Sequence, residues 1–246
     1  MPGGRKPASI TTYPEDSIQS AISPSTWWVP DDTHDFKPGV LIRAFVPHVR
    51  QIPYVIVPEG RNIPTEHKTF KAKIEPLDVK NPHKLSKLPV ACLPVYPNEV
   101  RAVYLAKIRP AVVVAEQGPK VDKKLIAGKP IWQTAPTLLV APFYGSEEGG
   151  KRAGFKQEFI DRVRKGEYPQ YMVDWLPLES GRSASILRFD HIQPVGFHYQ
   201  SLQHTGWRLS EDAILCLKEW FLWFLDGDME DDSLLATWLK AGLSVV

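Results

Sequence analysis

Arg188 and Asp190 stand on either side of Phe189, and Arg109 stands directly before Pro110 and the apolar run Ala111–Ala115. Residues two apart on a strand point to one face. A guanidinium and a carboxylate thus share a face while Phe189 turns into the core. Two readings of this pair stay open: an ion pair on the rim of a sheet, and part of a site for an anionic partner. The net charge of +2 conceals a gradient. Residues 101–210 carry 16 Lys/Arg against 10 Asp/Glu, and residues 211–246 carry 2 against 8. A basic middle suits an anionic partner. A solvated surface of mixed sign fits the same numbers.

Other chemistry is scarce. The chain has no G-x-x-x-x-G-K-[ST], no G-x-G-x-x-G after a strand, no H-E-x-x-H and no G-x-S-x-G. His191, His198 and His204 are the closest histidines, and their spacing does not match a metal site, so neither a metal nor a cofactor is expected. Gly145–Gly150 is glycine-rich, but Glu147 and Glu148 would repel a phosphate. Cys216 falls inside an apolar segment and reads as a core thiol. Cys92 and Cys216 are too far apart to suggest a disulfide framework or a zinc site. With no readable signal peptide, a reducing cytoplasm is the expected location. The longest apolar run, Ala213–Leu225, is interrupted by Lys218 and Glu219. It falls short of the roughly 20 residues that span a bilayer, so no membrane partner is expected.

The elements that must position these residues follow from proline and from periodicity. Of 23 prolines, none follows Pro194. Proline breaks helix interiors, so residues 1–142 should form strands, turns and linkers, and real helices should come late. Residues 1–35 read as a loose arm whose Trp27-Trp28 pair packs back on the body. Strands are predicted at Gly39–Val46, Tyr54–Val57, Thr69–Ile74, Val100–Ala106, Pro110–Ala115, Thr137–Ala141, Tyr171–Leu178 and Ala184–Phe189. Phe155–Lys165 has helical spacing and stops at Gly166. A second helix begins after Ser210, a natural N-cap, with Glu211 and Asp212 suiting the dipole and Gly227 placed to end it. Asp232 or Ser233 caps a last short helix through Leu243. The expected fold is mainly β with α additions: a small barrel over residues 36–205, with helices over 206–246.

Order and spacing together resemble a known family. Ile108–Glu116 (IRPAVVVAE) resembles the R-P-A-V-V strand of PemK/MazF-like toxins. Thr137–Ser146 (TLLVAPFYGS) is similar to the strand that ends in P-[IV]-T-S. Ser183–Gly196 (SASILRFDHIQPVG) resembles the S-x-[VI]-[RL]-x-D-Q strand, and Arg208–Gly227 takes the place of the closing helix. The resemblance covers about residues 100–227 and extends to Pro38–Val46 if insertions fill about 47–99 and 145–170.

It implies an SH3-like barrel, usually a homodimer, that cuts single-stranded RNA with a sequence preference and without metal, and that is inhibited by an antitoxin protein. The 2′-hydroxyl would attack the adjacent phosphate. Asp190 then matches the carboxylate base, Arg188 the acid or charge stabiliser, and Arg109 a phosphate clamp, for which a guanidinium fork is suited. Tyr144-Gly145 replaces the family's Thr-Ser, with Ser146 one residue further on. Tyr144 would donate to a phosphate or stack on a base. Ser146, Trp132 and His191 are candidate RNA contacts, and Phe143, Tyr168 and Tyr171 are further aromatics near the basic region. The same departure also fits a catalytically inactive barrel that binds nucleic acid or a protein partner. A third reading is an unrelated hydrolase that uses His191.

Overall fold

The computed structural model describes residues 27–49, 51–78, 80, 99–116, 121–129, 136–146, 154–178, 184–197, 200 and 202–243. These residues are mainly β. Strands run over Trp28–Pro30 (β1), Val40–Pro47 (β2), Tyr54–Arg61 (β3), Phe70–Pro76 (β4), Ala102–Val103 (β5), Ala106–Ala115 (β6), Thr137–Gly145 (β7), Tyr171–Trp175 (β8), Ala184–Arg188 (β9), Gln193–Gly196 (β10) and Leu202–Leu209 (β11). The helices are Gln157–Arg164 (α1), Glu211–Asp226 (α2) and Leu234–Leu243 (α3). None of them is long and apolar enough to cross a membrane.

The chain divides into two compact units. Residues 46–107 form one, a three-stranded antiparallel sheet in the order β4-β3-β5. The expected insertion at about 47–99 lies inside it. Strand β4 is largely exposed, as its alternating lysines dictate, while β3 is mostly half-buried and its Val55 is buried.

The other unit is a curled antiparallel sheet, a half-barrel, in the order β1-β11-β2-β6-β7-β9-β8, with β10 paired to β7. Side chains alternate across a strand, and here both faces are covered. Val40, Ile42, Ala44, Ala111, Val113, Leu138 and Val140 form one core among strands. Leu41, Val112, Ala141, Phe143, Met172 and Leu187 turn the other way and meet Ala213, Cys216, Leu217 and Trp220 of α2 and Leu235 of α3. Burying a large apolar side chain of this kind contributes about 1.5–3 kcal/mol, so this second core fixes the helices on the sheet.

Local chemistry sets the helix ends. Ser210 accepts from the Ala213 amide, and Gly227 closes α2 in the left-handed region with its amide bonded to the Trp223 carbonyl. Ser233, rather than Asp232, caps α3 by accepting from the Ala236 amide at 3.0 Å. Gly39, at φ +91°, lets β2 start beneath α2. A Cβ there would stand 2.6 Å from Ile214 Cγ1. Gly39→Ala combines a strained backbone with overpacking and is expected to cost about 1–3 kcal/mol, read as a lower urea midpoint. An unchanged midpoint would contradict this packing.

Several expectations are corrected. Of the arm expected over 1–35, residues 1–26 lie outside the described residues, and Trp28–Pro30 is a strand paired with β11. The buried Trp27 and Trp28 do pack back on the body. Val100–Ala106 shortens to Ala102–Val103, and Ala106 instead opens β6, which carries Arg109 and Pro110 inside it. Pro142 does not end its strand. It pairs opposite Ala111 while β7 runs on to Gly145, exchanging β6 for β9 as neighbour. The strand predicted to reach Phe189 stops at Arg188, where a 3-10 turn, Phe189–His191, begins. The strand predicted at Tyr171–Leu178 ends at Trp175. Strands β10 and β11 were not predicted, so residues 206–209 are strand before the helix begins. Trp132, Cys92, His198 and residues 81–89 and 147–150 lie outside the described residues.

Candidate functional site

Register brings the candidate residues together. Tyr144 pairs opposite Ile186, and Arg188 pairs opposite Tyr171. By alternation Tyr144, Ile186, Arg188 and Tyr171 share one face, while their neighbours Phe143, Leu187 and Met172 face the helices. Arg109 has the same parity as Ala111 and Val113 and joins Tyr144 on the face away from the helices. The four polar side chains thus come from four adjacent strands, β6, β7, β9 and β8.

They interlock. The Arg109 guanidinium carbon lies 4.0 Å from the centroid of the Tyr144 ring. That of Arg188 lies 5.5 Å from Tyr144 and 5.3 Å from Tyr171. These are cation–π distances, worth about 0.5–2 kcal/mol each depending on desolvation. The Arg188 fork grips Asp190: Nε donates to Oδ1 at 2.9 Å and Nη2 to Oδ2 at 2.5 Å. Asp190 reaches back because the 3-10 turn, not strand alternation, returns its carboxylate to the rim. The same turn places His191 Nδ1 2.7 Å from the Tyr144 hydroxyl. Phe189, the middle residue of the sequence pair, is buried as expected and stacks on Phe221 and Phe224.

Electrostatics follows from this packing. Burial raises the Tyr144 pKa, against the opposing pull of Arg109 and Arg188, so the phenol keeps its proton. Burial lowers the His191 pKa, and the charges of Arg188 and Arg109 lower it further while Asp190 opposes them. The imidazole is therefore neutral at neutral pH. Burial works against the Arg188 charge, but the Asp190 carboxylate outweighs it and holds the guanidinium above its ordinary range. The cluster thus presents fixed positive charge, a phenol donor and a neutral imidazole at one place.

Not every candidate joins it. Ser146 is buried and donates its hydroxyl to the Ala184 carbonyl at 2.6 Å, which makes it an edge clasp between strands. Phe143 faces the helices and is buried. Tyr168 and Tyr171 remain partly accessible and extend the cluster as an aromatic strip with Phe159 and Phe155. Cys216 is fully buried, and burial pushes its thiol pKa far up, so it is inert. His204 sits in β11 with Nε2 3.3 Å from Asp31 Oδ2, both side chains buried. Among the described residues no group of three His, Cys, Asp or Glu is arranged to hold a metal ion.

One residue of consequence went unread. Asp174, in β8 on the helix-facing side, is fully buried and accepts from the indole nitrogens of Trp27 at 3.2 Å and Trp28 at 3.0 Å. Burial raises its pKa to about 7, although both indoles favour the carboxylate. The signal was present: an acidic residue inside an apolar strand, and an adjacent tryptophan pair that needs acceptors once buried.

Comparison of the sequence with family models and with curated proteins finds no match.

Proposed function

We propose that the chain is a metal-independent endoribonuclease with an SH3-like barrel of PemK/MazF type, cutting single-stranded RNA through attack of the 2′-hydroxyl on the adjacent phosphate. What carries the reading is the convergence of Arg109, Tyr144, Arg188, Asp190 and His191 on one sheet face. Only the order of short motifs singled out the first four as candidates for one site.

Each group has a physical role in that reaction. A phosphodiester passing through a five-coordinate phosphorus gathers negative charge on its non-bridging oxygens, and preorganised cations stabilise it. Arg109 and Arg188, from neighbouring parts of one sheet, supply them. Asp190 spans the Arg188 fork and fixes its direction. Tyr144, held under Arg109, offers a phenol O–H to the phosphate. Tyr171, Tyr168 and Phe159 give unpaired bases a surface to stack on, at about 1–3 kcal/mol per base. A homodimer and an inhibitory antitoxin partner belong to the same reading, and the exposed Leu215, Leu222 and Leu225 of α2 are compatible with an apolar partner surface.

Purified protein incubated with mixed RNA in EDTA is expected to cut it, and Asp190→Ala to slow the cutting. RNA left whole, or cut equally well by Asp190→Ala, sinks the reading. Binding without product, weakening as salt rises, would instead identify the inactive RNA-binding barrel.

A further inference from the structure

The nuclease reading leaves one question: which group moves the proton. In the family pattern the carboxylate takes that place. Here both Asp190 oxygens are committed to the Arg188 fork, at 2.9 and 2.5 Å. The neighbouring residue offers an alternative. His191 and Tyr144 are 47 residues apart in sequence, yet the phenol oxygen and Nδ1 meet at 2.7 Å inside the same cluster, with the rings edge to face at 5.3 Å.

We propose that Tyr144 and His191 form a two-residue proton relay, with His191 Nε2 accepting the proton of the attacking 2′-hydroxyl and the Tyr144 phenol supplying one to the departing 5′-oxygen. The proposal rests on the nuclease reading and assigns its acid and base. The step balances. At the start Nδ1–H donates to the Tyr144 oxygen, Nε2 carries a lone pair, and the phenol O–H faces the leaving oxygen. The O2′–P bond forms as Nε2 takes the O2′ proton. The P–O5′ bond breaks as the phenol proton moves to O5′, and the Nδ1 proton refills the phenol. The products are a 2′,3′-cyclic phosphate and a 5′-hydroxyl. The relay ends as the other tautomer, with Nε2–H and the phenol donating to Nδ1, and solvent exchange resets it. No net charge is left on the protein.

The surroundings fit this role. The charged groups that face the pair are Arg109 from β6, Arg188 from β9 and Asp190 from the same turn. Burial first, and then two cations against one carboxylate, keep the imidazole neutral and its lone pair available. Burial keeps the phenol protonated. Asp190 then acts as a positioning residue, orienting Arg188 beside the relay.

The test is single-turnover cleavage of a short mixed-sequence RNA in EDTA by the full chain, as wild type, His191→Gln, Tyr144→Phe and the double variant. Binding of the same RNA carrying 2′-O-methyl groups is measured alongside. Each single variant is expected to lose about 100-fold or more in rate, with binding of the methylated RNA retained. The double variant should lose little more than the worse single one, since residues that act as a unit are not additive. The fall of the wild-type rate on the acid side of the pH profile, where His191 takes up a proton, should disappear in His191→Gln. A His191→Gln rate equal to wild type overturns the relay and leaves the nuclease reading standing. A wild type that does not cut overturns both. Should a variant unfold, the tautomer of 15N-labelled His191 in wild type bound to the methylated RNA decides: Nδ1–H supports the relay, and Nε2–H overturns it.

Discussion

Arg188→Ala is expected to slow RNA cleavage about 1,000-fold, within the range seen when one preorganised donor or arginine is removed from a charge-developing centre. Arg188 does three things at once. It supplies positive charge at the rim, it holds Asp190 through two hydrogen bonds, and it lies between the rings of Tyr144 and Tyr171. Its loss should lower stability mainly through the two ring contacts, about 0.5–2 kcal/mol each, and little through the ion pair, because the Asp190 side chain is 28% exposed and water can solvate it. Partly exposed ion pairs contribute only about 0–1 kcal/mol. Arg188→Lys restores the charge but not the planar fork, so it should recover RNA binding more than rate. Single-turnover cleavage at saturating RNA, with a urea melt as control, measures both. A wild-type rate in Arg188→Ala would remove the site from the chemistry.

Asp174 controls the other large effect, and the effect is on stability. Its pKa is about 7 in the fold, against an ordinary value of 3.8. A folded-state pKa above the unfolded one means that the folded chain binds the proton more tightly. Between about pH 4 and 7 the folded state holds more protons than the unfolded one, so stability falls as pH rises. The contribution is fully present below about pH 4 and is lost as pH climbs through about 7. At 1.36 kcal/mol per unit the whole excursion is on the order of 4 kcal/mol. Asp174→Asn cannot titrate, so its urea stability should lack this slope. It should be less stable than wild type in acid, because an amide nitrogen facing an indole N–H leaves a buried donor unmatched, at about 1–3 kcal/mol. Above neutral pH the gap should close or reverse, because the wild type's loss there exceeds the variant's deficit in acid. Parallel pH profiles for the two proteins would contradict the assignment. The consequence reaches the site, since β8 carries both Asp174 and Tyr171 and pairs directly with the strand of Arg188.

What the sequence made legible was what short-range physics decides. The Ser210 cap, the Gly227 stop, the apolar faces of α2 and the buried runs of β6 and β7 all follow from local periodicity and cap chemistry. What it hid depends on partners distant in the chain. The stretch Leu202–Leu209 has polar residues throughout its middle, and it becomes a strand because β1 and β2 flank it. The two-residue strand β5 exists only through its pairing with β3. At the site, alternation placed Arg188 and Asp190 on one face for the wrong reason. A turn, not a continuing strand, brings the carboxylate back, and the same turn brings His191 to Tyr144. Ser146 looked like the hydroxyl of the family pattern, yet it is spent on the Ala184 carbonyl. Tyr144, the apparent departure, stands at the centre of the cluster, touched by Arg109, Arg188 and His191.

The central claim is that this cluster cuts RNA by 2′-hydroxyl attack, and the ends of the products test it most directly. An RNA of mixed sequence and a DNA of the same sequence are incubated with the protein in EDTA, and the fragments are weighed by mass spectrometry. The account predicts that the RNA gives fragments with 2′,3′-cyclic phosphate and 5′-hydroxyl ends while the DNA stays whole. RNA fragments with 3′-hydroxyl and 5′-phosphate ends, equal cutting of the DNA, or intact RNA would contradict it.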